Sequence, residues 1–299
     1  MTALHRKLLR DLRQLRGQMA AIALVMVGGI GTMVMALSNY HALSDTRALF
    51  YDEYRFAEVF ATAKRAPLPL VEAVRGIPGV REVGPRVTGF ANLEVEGYDE
   101  PVTGQIVSLP GPGDPGLNRL YLREGRLPLA DDEAVVSEAF AEAHGLRMGD
   151  RLVAILNGRR QALLISGVGS SPEFVYQIRP GDYFPDFKRF AVLWMPRDPL
   201  AMAFDMDGAF NDLAITLTRE AREADVIDAL DALLAPYGGA GAHGRDLQTS
   251  HRFLDEELSQ LRVMTYLFTA IFVGVVAFLL NVVTSRLVSA QHEQIAVLK

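Results

Sequence analysis

VMTYLFTAIFVGVVAFLLNVVTS, residues 263–285, carries no charged side chain from end to end. An α-helix rises about 1.5 Å per residue, so about 20 such residues cross a hydrocarbon core about 30 Å thick. GQMAAIALVMVGGIGTMVMALSNYHALS, residues 17–44, meets the same condition near the other end of the chain. In hydrocarbon every backbone N–H and C=O must be paired within its own segment, so both stretches are expected to span as helices. Between them lies an acidic region of ordinary globular composition.

The flanks set the expected orientation. Arg6, Lys7, Arg10, Arg13 and Arg16 precede the first stretch against a single acid, Asp11, and short basic flanks stay on the cytoplasmic side. Crossing twice places residues 45–257 outside and returns the chain to the cytoplasm. The expected division is a cytoplasmic amphipathic segment 1–16, a first membrane helix 17–44, an outer domain 45–257 with helical stalks, a second membrane helix 258–285, and a cytoplasmic segment 286–299. Leu4, Leu8, Leu12 and Leu15 recur at helical spacing, as in a helix lying on an anionic leaflet. A secretory signal peptide is the alternative for the first stretch, with Met35-Ala36-Leu37-Ser38 as its small-residue site. The apolar core 19–37 is longer than the roughly 7–15 residues of a signal's apolar region, which favours a retained helix.

Residues 45–256 hold 33 acidic and 22 basic side chains, a net charge of about −11, while the chain ends are basic. Nucleic acid is not an expected partner, because phosphate recognition needs basic patches. The chain has no cysteine, which excludes disulfides and cysteine-ligated zinc or iron–sulfur centres.

The outer region reads as α+β. A helical stalk is expected over 38–60, giving way to a strand over 56–63. A short helix over 69–75 ends at Ile77-Pro78-Gly79-Val80, and Val83, Val87, Phe90, Leu93 and Val95 then alternate as in strands. A strand over 102–109 is followed by Pro110-Gly111-Pro112-Gly113-Asp114-Pro115-Gly116, a loop. Residues 133–137 read as a strand and 138–144 as a helix, with Gly145 in the left-handed position that closes it. Asn157-Gly158 is the preferred two-residue hairpin turn, between strands at 151–156 and 161–168. Strands are also expected at 192–195 and 213–217. Val226, Leu230, Leu233 and Leu234 mark an amphipathic helix ended by Pro236 and Gly238, and from Ser250 a helical pattern runs into the second membrane stretch.

Catalytic motifs are weak. Gly111, Gly113 and Gly116 satisfy a G-x-G-x-x-G spacing, but interleaved prolines and the lack of a following helix remove the amides that would hold phosphate. There is no P-loop. Asp205-Met206-Asp207-Gly208 opens like a calcium loop, yet its twelfth position is Thr216 where a glutamate is needed. His41, His144, His243 and His251 fall at no metal-ligand spacing, and Ser137 and Ser171 lack a nucleophile elbow. No cofactor is expected. Within the membrane stretches, Gly28, Gly29 and Gly31 would let another helix approach closely, and Asn281 is a candidate for a hydrogen bond across such an interface.

LREGRLPLADDEAVVSEAFAEAHGLRMGDRL (122–152) and NGRRQALLISGVGSSPEFVYQI (157–178) resemble the outer core domain of FtsX/MacB-like ABC transporter permeases. Gly125 and Gly145 permit its turns, and Gly149-Asp150 makes the bend that launches the next strand. SPEFVYQIRPGDYFPDFKRFAVLWMPRDPL (171–200) and GAFNDLAITL (208–217) resemble the lipoprotein-release or export branch, and SRLVSAQHEQIAVLK (285–299) resembles the start of the family's cytoplasmic segment. The resemblance implies a MacB-like periplasmic core carried by two membrane helices, the N-terminal portion of a non-catalytic permease in a bacterial inner membrane. It implies as partners a separate cytoplasmic ABC ATPase, a second permease half or subunit, membrane lipid, and a periplasmic protein or lipoprotein as substrate. Glu293, Gln294, Ile295, Leu298 and Lys299 are the residues it places against the ATPase. Two rival classes stand beside it: a two-helix sensory receptor with an outer ligand-binding domain, and an anchored outer-surface enzyme.

Overall fold

The computed structural model describes residues 16–111, 113–114 and 116–296. The expected amphipathic segment therefore lies, apart from Arg16, outside the described residues. Two compact units are formed, one from the two ends of the chain and the other from Ala48–Asp255. Elements are numbered in chain order.

Helix α1 spans Arg16–Glu53. It stops short of the expected stalk end because Arg55 takes a positive φ of 52° and turns the chain, so that Phe56 N–H donates back to Tyr51 O at 2.8 Å. Phe56 and Ala57 are then buried, and the first strand begins only at Val59.

The smaller sheet of the outer unit is assembled from the two ends of that unit's sequence. It contains β1 (Val59–Pro67), β2 (Val80–Arg86), β10 (Ala209–Leu217) and β11 (His243–Gly244), in the order β11-β1-β10-β2 with every neighbour antiparallel. Helix α2 (Leu70–Arg75) joins β1 to β2, and helix α5 (Glu223–Leu234) joins β10 to β11. This is the β-α-β-β-α-β ferredoxin-like arrangement, with its central β2–β10 connection replaced by a second sheet. Val226, Leu230 and Leu234 of α5 bury one face at the i, i+4, i+8 spacing, against Val59, Phe210 and Leu213 of the sheet.

The inserted sheet has seven strands: β3 (Thr88–Val95), β4 (Tyr98–Ser108), β5 (Tyr121–Gly125), β6 (Glu133–Ser137), β7 (Arg151–Leu156), β8 (Arg159–Ser170) and β9 (Phe190–Met195). Their order is β5-β8-β6-β9-β4-β3-β7, and a further β7–β8 pairing closes the ring into a six-stranded barrel with β5 outside on β8. Strand β8 makes closure possible by its length. Its first half pairs antiparallel with β7 and its second half parallel with β6, so that Leu164 faces both Arg151 and Glu133. Helices α3 (Glu138–His144) and α4 (Arg197–Ala203) pack on the barrel through Phe140 and Leu200, both fully buried.

The hairpin between β7 and β8 turns on Asn157 and Gly158, with φ of 46° and 80°, as that dipeptide requires. β7 alternates fully buried positions with exposed or half-buried ones, whereas all six residues of β9 are buried. In β9, Ala191, Leu193 and Met195 join the barrel core while Phe190, Val192 and Trp194 pack with Val107, Val135 and Phe174 on the other face. A strand covered on both sides reads as an unbroken apolar run.

Helix α6 spans Thr249–Ala296. Both α1 and α6 contain a stretch long and apolar enough to cross a membrane, and none of α6's most apolar window is buried. Leu24, Val27, Val273 and Phe278 are more than half exposed, which water would penalise and lipid would not.

Candidate functional site

In the unit formed by the chain ends, one sequence-expected glycine packs. A Cβ built on Gly29 would lie 2.9 Å from the Phe272 Cβ, whereas Gly28 and Gly31 have open space within 4 Å. Gly29 also lines an apolar groove with Met33, Ala36, Leu261, Met264 and Phe268. Three threonines of the groove turn their hydroxyls to their own helix: Thr32 Oγ1 donates to Gly28 O at 2.9 Å, Thr265 to Leu261 O at 2.8 Å and Thr269 to Thr265 O at 2.7 Å. With those donors satisfied, the threonines offer methyl groups to the groove. Asn281 is exposed. Glu293, Gln294 and Ile295 fall in the last turns of α6, and Leu298 and Lys299 lie outside the described residues.

The motif glycines of the outer unit are explained by close backbone approach. Gly125 ends β5 at φ +80°, and a Cβ there would sit 2.3 Å from Ser166 O and 2.7 Å from the Gly167 Cα. Arg126 N–H donates to that same Ser166 O at 3.0 Å. Arg126 then reaches Glu133 with two guanidinium bonds of 2.7 and 2.5 Å, and Leu129 and Ala130 N–H donate to Glu133 Oε2 at 2.8 and 3.2 Å. The Arg126 bonds foremost, then the Leu129 amide, outweigh burial and hold the Glu133 carboxyl at about 2. Gly145 caps α3 at φ +67°, donating to Ala141 O and Glu142 O. Gly149 takes φ +95°, and the Asp150 carboxylate accepts from Arg147 N–H at 2.8 Å.

A second polar centre lies between the two sheets, at residues that no short motif connects. Arg86 at the end of β2 is buried and donates from Nε to Asp212 Oδ1 on β10 at 2.6 Å. It also donates to both Glu173 oxygens, at 2.5 and 3.0 Å, from a single turn of 3-10 helix, Pro172–Phe174. Glu173 further accepts from Asn118 Nδ2 at 2.7 Å. Burial works against the Arg86 charge, but Asp212 and Glu173 outweigh it and push its pKa up. Burial, reinforced by the charge of Glu173, raises the Asp212 carboxyl against the pull of Arg86.

The residues weighed as catalytic are dispersed. His144 Nε2 sits 2.8 Å from Lys188 O, the His243 ring stacks on Phe60, and His251 Nδ1 meets Tyr51 OH at 3.0 Å. Ser137 Oγ accepts from Val192 N–H at 3.2 Å, and Ser171 Oγ donates to Asn118 O at 3.2 Å. Asp205 and Asp207 form a turn before β10 whose carbonyls accept from Arg65 at 3.1 Å. Among the described residues no group of three or more His, Cys, Asp or Glu side chains is placed to hold a metal ion.

An α+β domain whose buried Arg86, Asp212 and Glu133 are paired within the protein, flanked in sequence by two helices of membrane-spanning length, defines a membrane-held outer domain. The chain belongs to the family of the MacB-like periplasmic core domain, whose sequence pattern matches residues 19–233, well over half of it. It is the MacB-like periplasmic domain, with flanking apolar helices, of an ABC-type transporter permease. Among the solved structures similar to it are two outer domains. The extracellular domain of the noncanonic ABC-type transporter YknZ from Gram-positive bacteria is 12% identical with a TM-score of 0.40, covering 63% of this chain and 98% of that one. The periplasmic region of MacB from Actinobacillus actinomycetemcomitans is 10% identical with a TM-score of 0.41, covering 70% of this chain and 95% of that one. No curated protein matches the chain by sequence.

Proposed function

We propose that this chain is a permease subunit that converts ATP hydrolysis by a separate cytoplasmic ATPase into movement of its periplasmic domain, for export or release of a lipoprotein, lipid, peptide or similar substrate. The observation that carries the reading is the family match over 19–233, joined to two helices whose apolar side chains are left largely unburied. The domain's motif glycines and its Arg126–Glu133 and Arg86 ion pairs serve close packing, which suits a mechanical role. In this reading the chain sits in the inner membrane as a multi-pass protein, its N-terminus cytoplasmic and residues 45–257 outside, as the basic flank of Arg6, Lys7, Arg10, Arg13 and Arg16 favours. Membrane lipid and a second permease half or subunit cover the apolar faces. Glu293, Gln294, Ile295, Leu298 and Lys299 then meet the ATPase.

Affinity purification of the full permease from its own membranes tests this. An ABC ATPase should co-purify, and changing Ile295 and Leu298 together to aspartate should reduce its recovery while the outer unit keeps its Trp194 fluorescence. Purification without any ATPase, or recovery indifferent to the double change, contradicts the proposal.

A further inference from the structure

The Arg86 centre touches more than the two sheets. Asn118, which donates to Glu173, accepts from Ala57 N–H through Oδ1 at 2.7 Å. Its own backbone N–H donates to Arg55 O at 3.0 Å, and Arg119 N–H donates to Tyr54 O at 2.8 Å. These groups are the turn that ends α1. On the other side of the same glutamate, Glu173 O accepts from Gln248 Nε2 at 2.7 Å. Gln248 is the residue before α6, and its Oε1 accepts from His251 N–H at 2.7 Å, so one amide caps the helix and ties its first turn to Glu173. Ser250 Oγ fixes that turn again by accepting from Tyr176 N–H at 3.0 Å.

Glu173 thus joins four things at one residue: the smaller sheet through Arg86 and Asp212, the barrel through the Pro172–Phe174 turn that follows β8, the end of α1 through Asn118, and the start of α6 through Gln248. We propose that Glu173 is a positioning residue, a clamp that makes the helix ends and both sheets of the outer unit move as one body. The physical basis is the asymmetry of buried polar groups. Arg86 and its carboxylates are out of water, so opening any link leaves a charge or an amide without a partner, and the junction resists partial opening. A linkage of neutral apolar contacts would slide. The functional weight of the clamp rests on the permease reading, because a rigid junction is what a displacement entering along either helix needs in order to reach both sheets together.

The test uses the full cysteine-free chain in lipid nanodiscs, with nitroxides at Asp52→Cys near the end of α1 and Arg159→Cys on the barrel, both exposed positions. Pulsed electron-electron distance measurement should give one narrow distribution. Glu173→Gln should broaden it roughly twofold or add a second peak, as an unlatched two-state element does. Asn118→Ala, which removes the side-chain bonds that join Ala57 to Glu173 and leaves the backbone bonds to Arg55 and Tyr54 and the Arg86–Asp212 pair, should broaden it as well. Glu133→Gln, which breaks the Arg126 pair away from this junction, should lower the melting temperature and leave the width alone. If Glu173→Gln does not fold, judged by loss of the buried Trp194 signal, Asn118→Ala decides by the same measure. A wild-type width in the variants that fold, with only a drop in melting temperature, makes Glu173 an ordinary stabilising residue and overturns the clamp. Failure of an ATPase to co-purify would sink the proposed ATP-driven coupling without altering this width.

Discussion

Alanine at Gly125 and at Gly145 should separate steric clash from backbone conformation within one sequence motif. Both glycines have positive φ, +80° and +67°, so each substitution carries a backbone penalty of about 1–2 kcal/mol. At Gly145 nothing lies within 4 Å of the new methyl, and that penalty is the whole effect. At Gly125 the methyl would stand 2.3 Å from Ser166 O and 2.7 Å from the Gly167 Cα. Both are backbone atoms, and Ser166 O cannot withdraw without losing its bond from Arg126 N–H. Overpacking of this kind adds about 3 kcal/mol, the upper end of the usual range. A unit of this size loses about 3 °C per kcal/mol, so Gly145→Ala should melt roughly 3–6 °C lower and Gly125→Ala roughly 12–15 °C lower. Trp194, the sole tryptophan, is buried on β9 and reports barrel unfolding by fluorescence. Equal shifts for the two variants would refute the close approach of β5 to β8 as the reason for glycine at 125.

Glu133→Gln should destabilise at neutral pH and progressively less in acid. The native carboxyl sits at about 2, below its ordinary 4.5, so its contribution is complete above 4.5 and disappears as pH falls through 2; urea midpoints of the two proteins should converge over that interval. Arg86→Met leaves Asp212 and Glu173 buried without their cation, a loss of about 3–5 kcal/mol at pH 7. Burial already raises the Asp212 carboxyl, so protonating it relieves the stranded charge and this variant should gain stability relative to wild type as pH is lowered; a constant gap between pH 7 and pH 5 would count against the Arg86–Asp212 pair. Gly29→Leu should weaken the α1–α6 contact at Phe272, seen as a lower disulfide yield between Met33→Cys and Thr269→Cys in membranes, while Gly28→Leu should leave the yield unchanged.

Local signals carried much of the fold. Asn157-Gly158 sets the β7–β8 turn, Gly145 closes α3, and Val226, Leu230 and Leu234 face the smaller sheet, because each depends on residues within a turn or two. Strand β5 has only five residues, mostly exposed, and shows no apolar alternation; helix α4 is a single short segment opened by Pro196. Neither offers a period to read. Ring closure through Leu164 and the pairing of β1 with β10 join positions far apart in the chain, which no window of sequence contains. The same holds for the polar centre: Arg86, Glu173 and Asp212 come from three distant segments and are unremarkable singly. The glycines at 28, 29 and 31 form one sequence cluster, yet only Gly29 meets Phe272, since a helix presents adjacent residues to different faces.

The barrel's insertion between β2 and β10 has a consequence for how the polypeptide reaches its native state. Roughly 120 residues separate those two strands, and bringing the ends of so long a flexible segment together opposes pairing by about 4 kcal/mol of chain entropy. Once the barrel has closed, its two exits are already neighbours, and most of that obstacle is gone. Assembly of the ferredoxin-like half is therefore expected to follow closure of the insert, which would leave the edges of β1 and β2 bare until β10 arrives. A lesion that slows barrel closure would prolong that wait, and aggregation through β1 would follow even when the finished molecule is stable.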